Sequence, residues 1–296
     1  MRARSKQRRL PCCVGPHRPI LGAFQRIYDP SADQLWPTYI NDHAFVLGPE
    51  QTWHLLGITR DEPGLVAKDE HEFAHASSAT LIDPMWANLP NAPSAAPAFG
   101  ETLLWVPYVI EQYGKYLMFY GGGGGASYQI RLASSTDLAT WLREPAALFV
   151  DGYEARDPFV LRVGAQWIIY YTATDLSGGH HVVAYHTSAD LSNWGERAIA
   201  YTDPATGTGA GPNEFPFVVA RDEGYSLFIG SSEDYLATRV FFSEDPRFFS
   251  AAPIAAIQTH AAEIVRDVDG QEYISRTGWG QGGVFPSKLS WQCPSS

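Results

Sequence analysis

The chain has 296 residues, a formal net charge of −11, and a composition that is 45% hydrophobic and 13% aromatic. That charge leaves no basic stripe for a nucleic-acid surface, and no apolar run approaches the ~18 residues a membrane helix needs. Neither nucleic acid nor membrane is therefore expected as a partner.

The charge is uneven. Residues 1–20 hold six basic side chains (Arg2, Arg4, Lys6, Arg8, Arg9 and Arg18) and no acid, leaving 15 basic against 32 acidic residues in the remainder. This head has no apolar stretch of ~7–15 residues such as a secretory signal carries. Residues 1–22 are expected as a basic, disordered tail and 23–296 as one folded domain, with a cytoplasmic location. Cys12, Cys13 and Cys293 are odd in number with two adjacent, so neither a disulfide framework nor zinc spacing is predicted.

The rest of the chain repeats. Ser78-Ala79-Thr80-Leu81 with Trp86, Ser135-Thr136-Asp137-Leu138 with Trp141, Ser188-Ala189-Asp190-Leu191 with Trp194, and Ser243-Glu244-Asp245-Pro246 with Phe249 share one pattern. Aromatic strand patterns precede each: Thr52 to Leu56, Lys115 to Tyr120, Gln166 to Tyr171, and Gly224 to Ile229. A fifth copy begins at Gln271. Helical periodicity is scarce, and Gly and Pro punctuate the chain. Strand-rich repeats of about 40–60 residues predict propeller blades. Five copies predict an all-β, five-bladed β-propeller. A two-sheet sandwich has many short strands too, but no reason to repeat a Ser-Asp-Leu turn at near-constant spacing.

In a propeller the innermost strands start around one axis. Those starts read Asn41-Asp42, Trp105 before Val106-Pro107, Arg156-Asp157-Pro158, Asn213-Glu214-Phe215-Pro216, and His260. With the prolines in register, Asp42, Trp105, Arg156 with Asp157 beside it, Glu214 and His260 fall at equivalent places. Grouped carboxylates repel, so at least one holds a raised pKa while another stays ionised. Glycoside hydrolysis needs that division of labour. Arg156 can keep a neighbour charged or hold a sugar hydroxyl, Trp105 offers a flat face to a sugar ring, and His260 can hydrogen-bond either.

Asn41-Asp42, Arg156-Asp157-Pro158 and the Glu214 of Asn-Glu-Phe-Pro resemble the three acidic motifs of the five-bladed propeller glycosidases, glycoside hydrolase families 32, 43 and 68, over roughly residues 24–292. The resemblance implies Asp42 as nucleophile in family 32 style, or as base for water in family 43 style. It implies Asp157 as transition-state stabiliser or tuner of the acid, and Glu214 as acid. Substrate contacts are expected from Asn41, Trp105, Arg156, His260, His75 and Trp279. His43 replaces the proline that follows the first Asp in family 32, and Phe215 the cysteine that often follows the Glu. The resemblance further implies furanosides, fructofuranosides or arabinofuranosides, as substrates, with transglycosylation as a variant. It implies no required cofactor and no catalytic metal, while a structural calcium near the axis accords with the blade-five histidine of family 43. The alternative is a non-catalytic, lectin-like propeller, which predicts equivalent sites between blades.

Three other signals compete. His71-Glu72-Phe73-Ala74-His75 matches the zinc-protease pattern, but falls in a predicted third strand rather than on a helix. Gly121 to Gly125 lacks the Lys-Ser/Thr of a phosphate loop and is expected as a loop after the second strand of blade two. His180-His181 is expected on the surface.

Overall fold

The computed structural model describes residues 15–32, 35–61, 70–124, 127–149, 151–152, 154–176, 178–250 and 252–293. Twenty strands among them form five antiparallel sheets of four. Blade one is β2 (Thr38–Leu47), β3 (Trp53–Asp61), β4 (Glu72–Ser78) and β5 (Ala87–Leu89). Blade two is β6 (Leu103–Gln112), β7 (Lys115–Gly124), β8 (Ser127–Ser135) and β9 (Leu142–Arg143). Blade three is β10 (Ala155–Val163), β11 (Gln166–Thr174), β12 (His181–Ser188) and β13 (Ala198–Thr202). Blade four is β14 (Phe217–Arg221), β15 (Gly224–Gly230), β16 (Thr238–Ser243) and β17 (Ala255–Ile257). Blade five holds β18 (Glu263–Arg266), β19 (Glu272–Arg276) and β20 (Phe285–Gln292), with β1 (Arg18–Leu21) as its outermost strand. The innermost strands touch in the cycle β2, β6, β10, β14, β18 and back to β2. That closed cycle is the five-bladed propeller the repeat predicts.

The ring closes earlier in the chain than residue 23. Arg18 pairs with Gln292 and Leu21 with Leu289. The basic head therefore contributes a strand, because the last blade would otherwise present β20 as an open edge. Residues 1–14 of the expected tail lie outside the described residues. Cys293, directly after β20, is disulfide-bonded, whereas the odd cysteine count predicted no such pairing.

The hydrophobic clusters run between blades. Ile40, Phe45 and Leu55 of blade one pack with Val265 and Tyr273 of blade five, and Tyr39, Leu56 and Phe73 pack with Leu104, Met118 and Tyr120 of blade two. A single twisted sheet cannot bury both faces alone, and stacking around an axis buries them on neighbours. The repeated turns serve the same purpose. Ser135 Oγ accepts the amides of Asp137 (3.1 Å) and Leu138 (2.8 Å), and Asp137 Oδ1 accepts those of Ala139 and Thr140. Ser188 and Asp190 repeat this geometry in blade three. The turn drives fully buried Leu138 into the core beside Trp141, whose indole donates to the Leu138 carbonyl at 3.1 Å.

Two competing signals resolve here. Gly121 to Gly124 are not a loop but end β7 as paired strand, and Gly125 lies outside the described residues. His75 does not reach the axis, contrary to its expected substrate contact. It lies within β4, opposite Leu56 of β3 and Leu89 of β5, and its Nε2 meets His54 Nδ1 at 2.8 Å. A third strand stands away from the axis, and the extended backbone separates His71 from His75 as a helix would not.

Burial pushes the His75 imidazole down to about 4, with the charge of His54 adding to the effect. Between that value and the ~6.5 of an unfolded histidine, the unfolded chain binds the extra proton. This site's contribution to stability is therefore full at neutral pH and is lost as pH falls through that window, by about 1.4 kcal/mol per pH unit. His75→Gln should thus gain stability relative to the unmodified chain by about that slope from pH 6.5 to 4.5, read by urea denaturation at each pH. A pH-independent difference would exclude a neutral, titration-silent His75.

Candidate active site

Each blade carries one non-glycine residue with left-handed backbone at the same place: Asp42 (φ 44°), Val106 (48°), Asp157 (56°), Phe215 (61°) and Ala261 (52°). In β2, β6 and β10 the ladder slips at this point, between Asn41 and His43, Trp105 and Tyr108, and Arg156 and Phe159. In blades four and five it lies just before the innermost strand. Such a conformation costs a non-glycine residue about 1–3 kcal/mol and persists only where its surroundings enforce it. A bulge re-aims side chains, and here five of them turn one blade end towards the axis.

This register corrects the sequence alignment by one residue. Asp42 and Asp157 occupy the kink itself. Asn41, Trp105, Arg156, Glu214 and His260 share the position before it. All seven line a single pocket of about 260 Å³, together with Trp279, Glu70, Glu154, Tyr235, Thr208, Ala210 and Ile58. His75 is absent from that lining.

Arg156 is the hub. Its Nε donates to Glu154 at 2.7 Å, its Nη1 to Asp157 Oδ2 at 3.1 Å and its Nη2 to Glu214 Oε1. Its guanidinium carbon lies 5.5 Å from the Trp105 ring centre. Tyr128 stacks on Trp105 at 4.1 Å, so one face of the expected sugar platform is already covered. Glu214 Oε2 accepts the Gly211 amide at 2.5 Å. With Arg156 on its other oxygen, both Glu214 oxygens accept hydrogen bonds.

The Glu214 turn rests directly on β15. The Gly230 amide donates to the Glu214 carbonyl at 2.8 Å, and a Cβ on Gly230 would stand 2.0 Å from Gly211 O. Gly230→Ala should therefore lift the turn and misplace Glu214. A catalytic group displaced by ~1 Å loses about 10²-fold in rate, so kcat/KM of Gly230→Ala should fall by that order while circular dichroism stays propeller-like. Wild-type kinetics would show that the turn tolerates the shift.

Asp42 is buried, and its Oδ1 has no hydrogen-bond partner. His260 Nε2 approaches that oxygen at 3.7 Å. Burial, then the charges of Asp157, Glu214 and Glu70, raise the Asp42 pKa well above the carboxylate range, against the pull of Arg156. Burial raises Asp157 as well; Arg156 opposes this and Glu214 adds to it. Burial also pushes Glu154 upward, but neighbouring His181 and the charge and hydrogen bond of Arg156 outweigh it and hold the group at about 2. Burial lowers His260 to about 4, so its imidazole is neutral at pH 7. The pocket thus holds five carboxyl groups around one guanidinium, a field that favours positive charge and repels anions.

Sequence reasoning missed Glu70, Glu154, His181 and Tyr235. Glu70 accepts the Trp105 indole at 2.6 Å and the Tyr39 hydroxyl, joining blades one and two. His181, expected on the surface, is fully buried, with Nε2 3.6 Å from Glu154 and Nδ1 3.7 Å from Glu214. Glu154 stands three residues before Asp157 and was legible in principle. His181 opens a third strand, and Glu70 and Tyr235 lie in connections between second and third strands; none of these segments carries a motif.

His260 Nδ1 meets the Tyr235 carbonyl at 2.8 Å, which leaves Nε2 as the nitrogen facing the pocket. Among the described residues no three His, Cys, Asp or Glu side chains are grouped to hold a metal.

No protein-family sequence model matches the chain, and no curated protein matches it in sequence. Solved structures do match in fold. A thermostable family-43 glycoside hydrolase is 19% identical with a TM-score of 0.62, over 88% of this chain and 91% of that one. An endo-arabinase from Bacteroides thetaiotaomicron is 14% identical with a TM-score of 0.64, over 92% and 98%. A GH32 beta-fructofuranosidase from Bombyx mori is 16% identical with a TM-score of 0.59, over 85% of this chain and 59% of that one.

Proposed function

We propose that this chain is a glycoside hydrolase that cleaves a furanoside linkage, a fructofuranoside or an arabinofuranoside, in oligosaccharides or glycosides. The observation that carries the reading is the meeting of Asp42, Asp157 and Glu214, from three different blades, in one pocket of about 260 Å³. That volume falls just below the range of drug-sized ligand sites, roughly 300–1,000 Å³, and suits a single terminal sugar unit. The propeller glycosidases that share the fold support the same reaction class.

In this mechanism Glu214 protonates the leaving oxygen as the glycosidic bond breaks. The incoming oxygen competes with Arg156 for Glu214 Oε1. Asp42 either attacks the anomeric carbon or takes a proton from the water that does. Asp157, held by Arg156, stays beside the ring as positive charge develops there. The surrounding carboxylates stabilise that oxocarbenium character more than they do the neutral ground state, which is what accelerates the step. A lectin-like propeller would repeat equivalent sites between blades; unlike side chains gathered at one end favour a single asymmetric reaction centre.

The test is turnover of aryl β-fructofuranoside, α-arabinofuranoside and β-xyloside, with NMR of the first-formed anomer. Release of a furanose is expected. Inverted product assigns Asp42 as base, and retained product assigns it as nucleophile, with transfer to an added alcohol acceptor then expected. No turnover on any of the three overturns the reading.

A further inference from the structure

Four buried oxygen atoms on residues lining the pocket lack partners, Asn41 Oδ1, Asp42 Oδ1, Asp157 Oδ1 and the hydroxyl of Tyr235, and the Tyr235 hydroxyl is the donor among them. Tyr235 lies in the connection between β15 and β16. Its ring is clamped, stacked on His260 at 3.8 Å and on Trp279 at 4.9 Å. Its own carbonyl accepts from His260 Nδ1 at 2.8 Å. That bond places the imidazole proton on Nδ1, so neutral His260 points a lone pair, not a donor, at Asp42 Oδ1. The phenol stays protonated, since burial and then the charge of Asp42 raise its pKa; the Trp279 amide acts in the opposite sense without reaching hydrogen-bond geometry.

We propose that Tyr235 is the positioning residue for Asp42, donating its hydroxyl hydrogen bond to Asp42 Oδ1 as the site closes on substrate. The inference rests on the sugar-cleaving reading for its kinetic arm alone. Leaving a buried donor and a buried acceptor unpaired is costly, and a small reorientation satisfies both. Catalytic hydrogen bonds commonly tighten in the substrate complex. The charged and aromatic groups around Asp42 do not supply this donor. Asp157, Glu214 and Glu70 are acceptors when ionised, and the Tyr39 hydroxyl serves Glu70. The hydrogen bonds of Arg156 go to Glu154, Asp157, Glu214 and His181 Nε2, and His260 presents its lone pair.

A hydrogen bond to the charged form lowers a carboxyl pKa. Removing it must therefore raise the Asp42 value and move the acid limb of the rate profile to higher pH. The experiment uses Tyr235→Phe, which keeps the stacked ring. Carboxyl carbons of selectively 13C-labelled aspartates are titrated by NMR in the presence of a sugar-alcohol ligand, with Asp42 assigned by its loss in Asp42→Asn. The apparent Asp42 pKa should rise by about one unit, and the acid limb of kcat/KM should shift by the same amount with about a tenfold loss at pH 6. An unmoved Asp42 titration overturns the proposal, even if activity falls, because it marks Tyr235 as packing alone. A chain that hydrolyses nothing defeats the proposed function, while the NMR titration still decides the role of Tyr235.

Discussion

Glu214→Gln is expected to lower hydrolysis of alkyl furanosides by about 10²–10⁴-fold, the usual contribution of a general acid, and to lower hydrolysis of nitrophenyl furanosides far less. A nitrophenolate leaves without a proton, so the acid matters little to it; an alkoxide does not. Asp42→Asn should instead lose activity on both leaving groups to a similar degree, since attack on the anomeric carbon is common to them. The contrast is needed because the resting geometry points another way. Glu214 receives donors on both oxygens, while Asp42 Oδ1 receives none and its pKa is raised. If Asp42→Asn shows the leaving-group dependence and Glu214→Gln does not, the two roles are exchanged. Both substitutions keep side-chain shape, and Glu214→Gln leaves Arg156 paired with Glu154 and Asp157, so thermal melts should stay close to those of the unmodified chain.

Arg156→Met is expected to produce the largest combined effect on stability and rate. The guanidinium side chain is only 12% exposed and contacts Glu154, Asp157 and Glu214. Removing one member of a buried ion cluster costs about 3–5 kcal/mol, because the remaining charges are left uncompensated. The loss of a positive charge also raises Asp157 and Asp42 further, since Arg156 is the group that opposes their upward shifts. The acid limb of kcat/KM should therefore move to higher pH. Arg156→Lys guards against a variant that does not fold. It keeps the charge but cannot span three carboxylates with one planar fork, so it should fold and still lose about 10–10² in kcat/KM. Wild-type kinetics in Arg156→Lys would mean that the charge alone, not the fork, organises the pocket.

Much of this architecture was written in the chain itself. The Ser-Asp-Leu turns recur because each must place a leucine in the seam between blades, and the aromatic strands recur because each must cover a neighbour. A feature demanded once per blade leaves a mark once per repeat. The motif residues were legible for the same reason: charge at the mouth of an apolar strand stands out against the pattern. The one-residue error in placing Asp42 came from the kinks. Proline marks that position in three blades, but His43 and Ala262 follow the kink in the other two, and no propensity signals left-handed backbone at an aspartate or an alanine.

His75 and His181 exchanged their expected places, and the cause is purely spatial. His75 belongs to a suggestive motif, yet its strand stands away from the axis, where it meets His54. His181 looked like surface, yet the start of β12 brings it beneath Glu154 and Glu214. Glu70 and Tyr235 enter the pocket from connections whose composition is ordinary.

Sequence periodicity by itself determined the number of blades, their strand order and the three carboxyl groups at the strand openings, because each follows from local patterning repeated along the chain. The tertiary structure alone decided which residues share the pocket, that Arg18–Leu21 completes the last blade, and that the Asp42 pKa is raised. Those depend on burial and on charges brought together from distant segments, and neither quantity exists until the ring has closed.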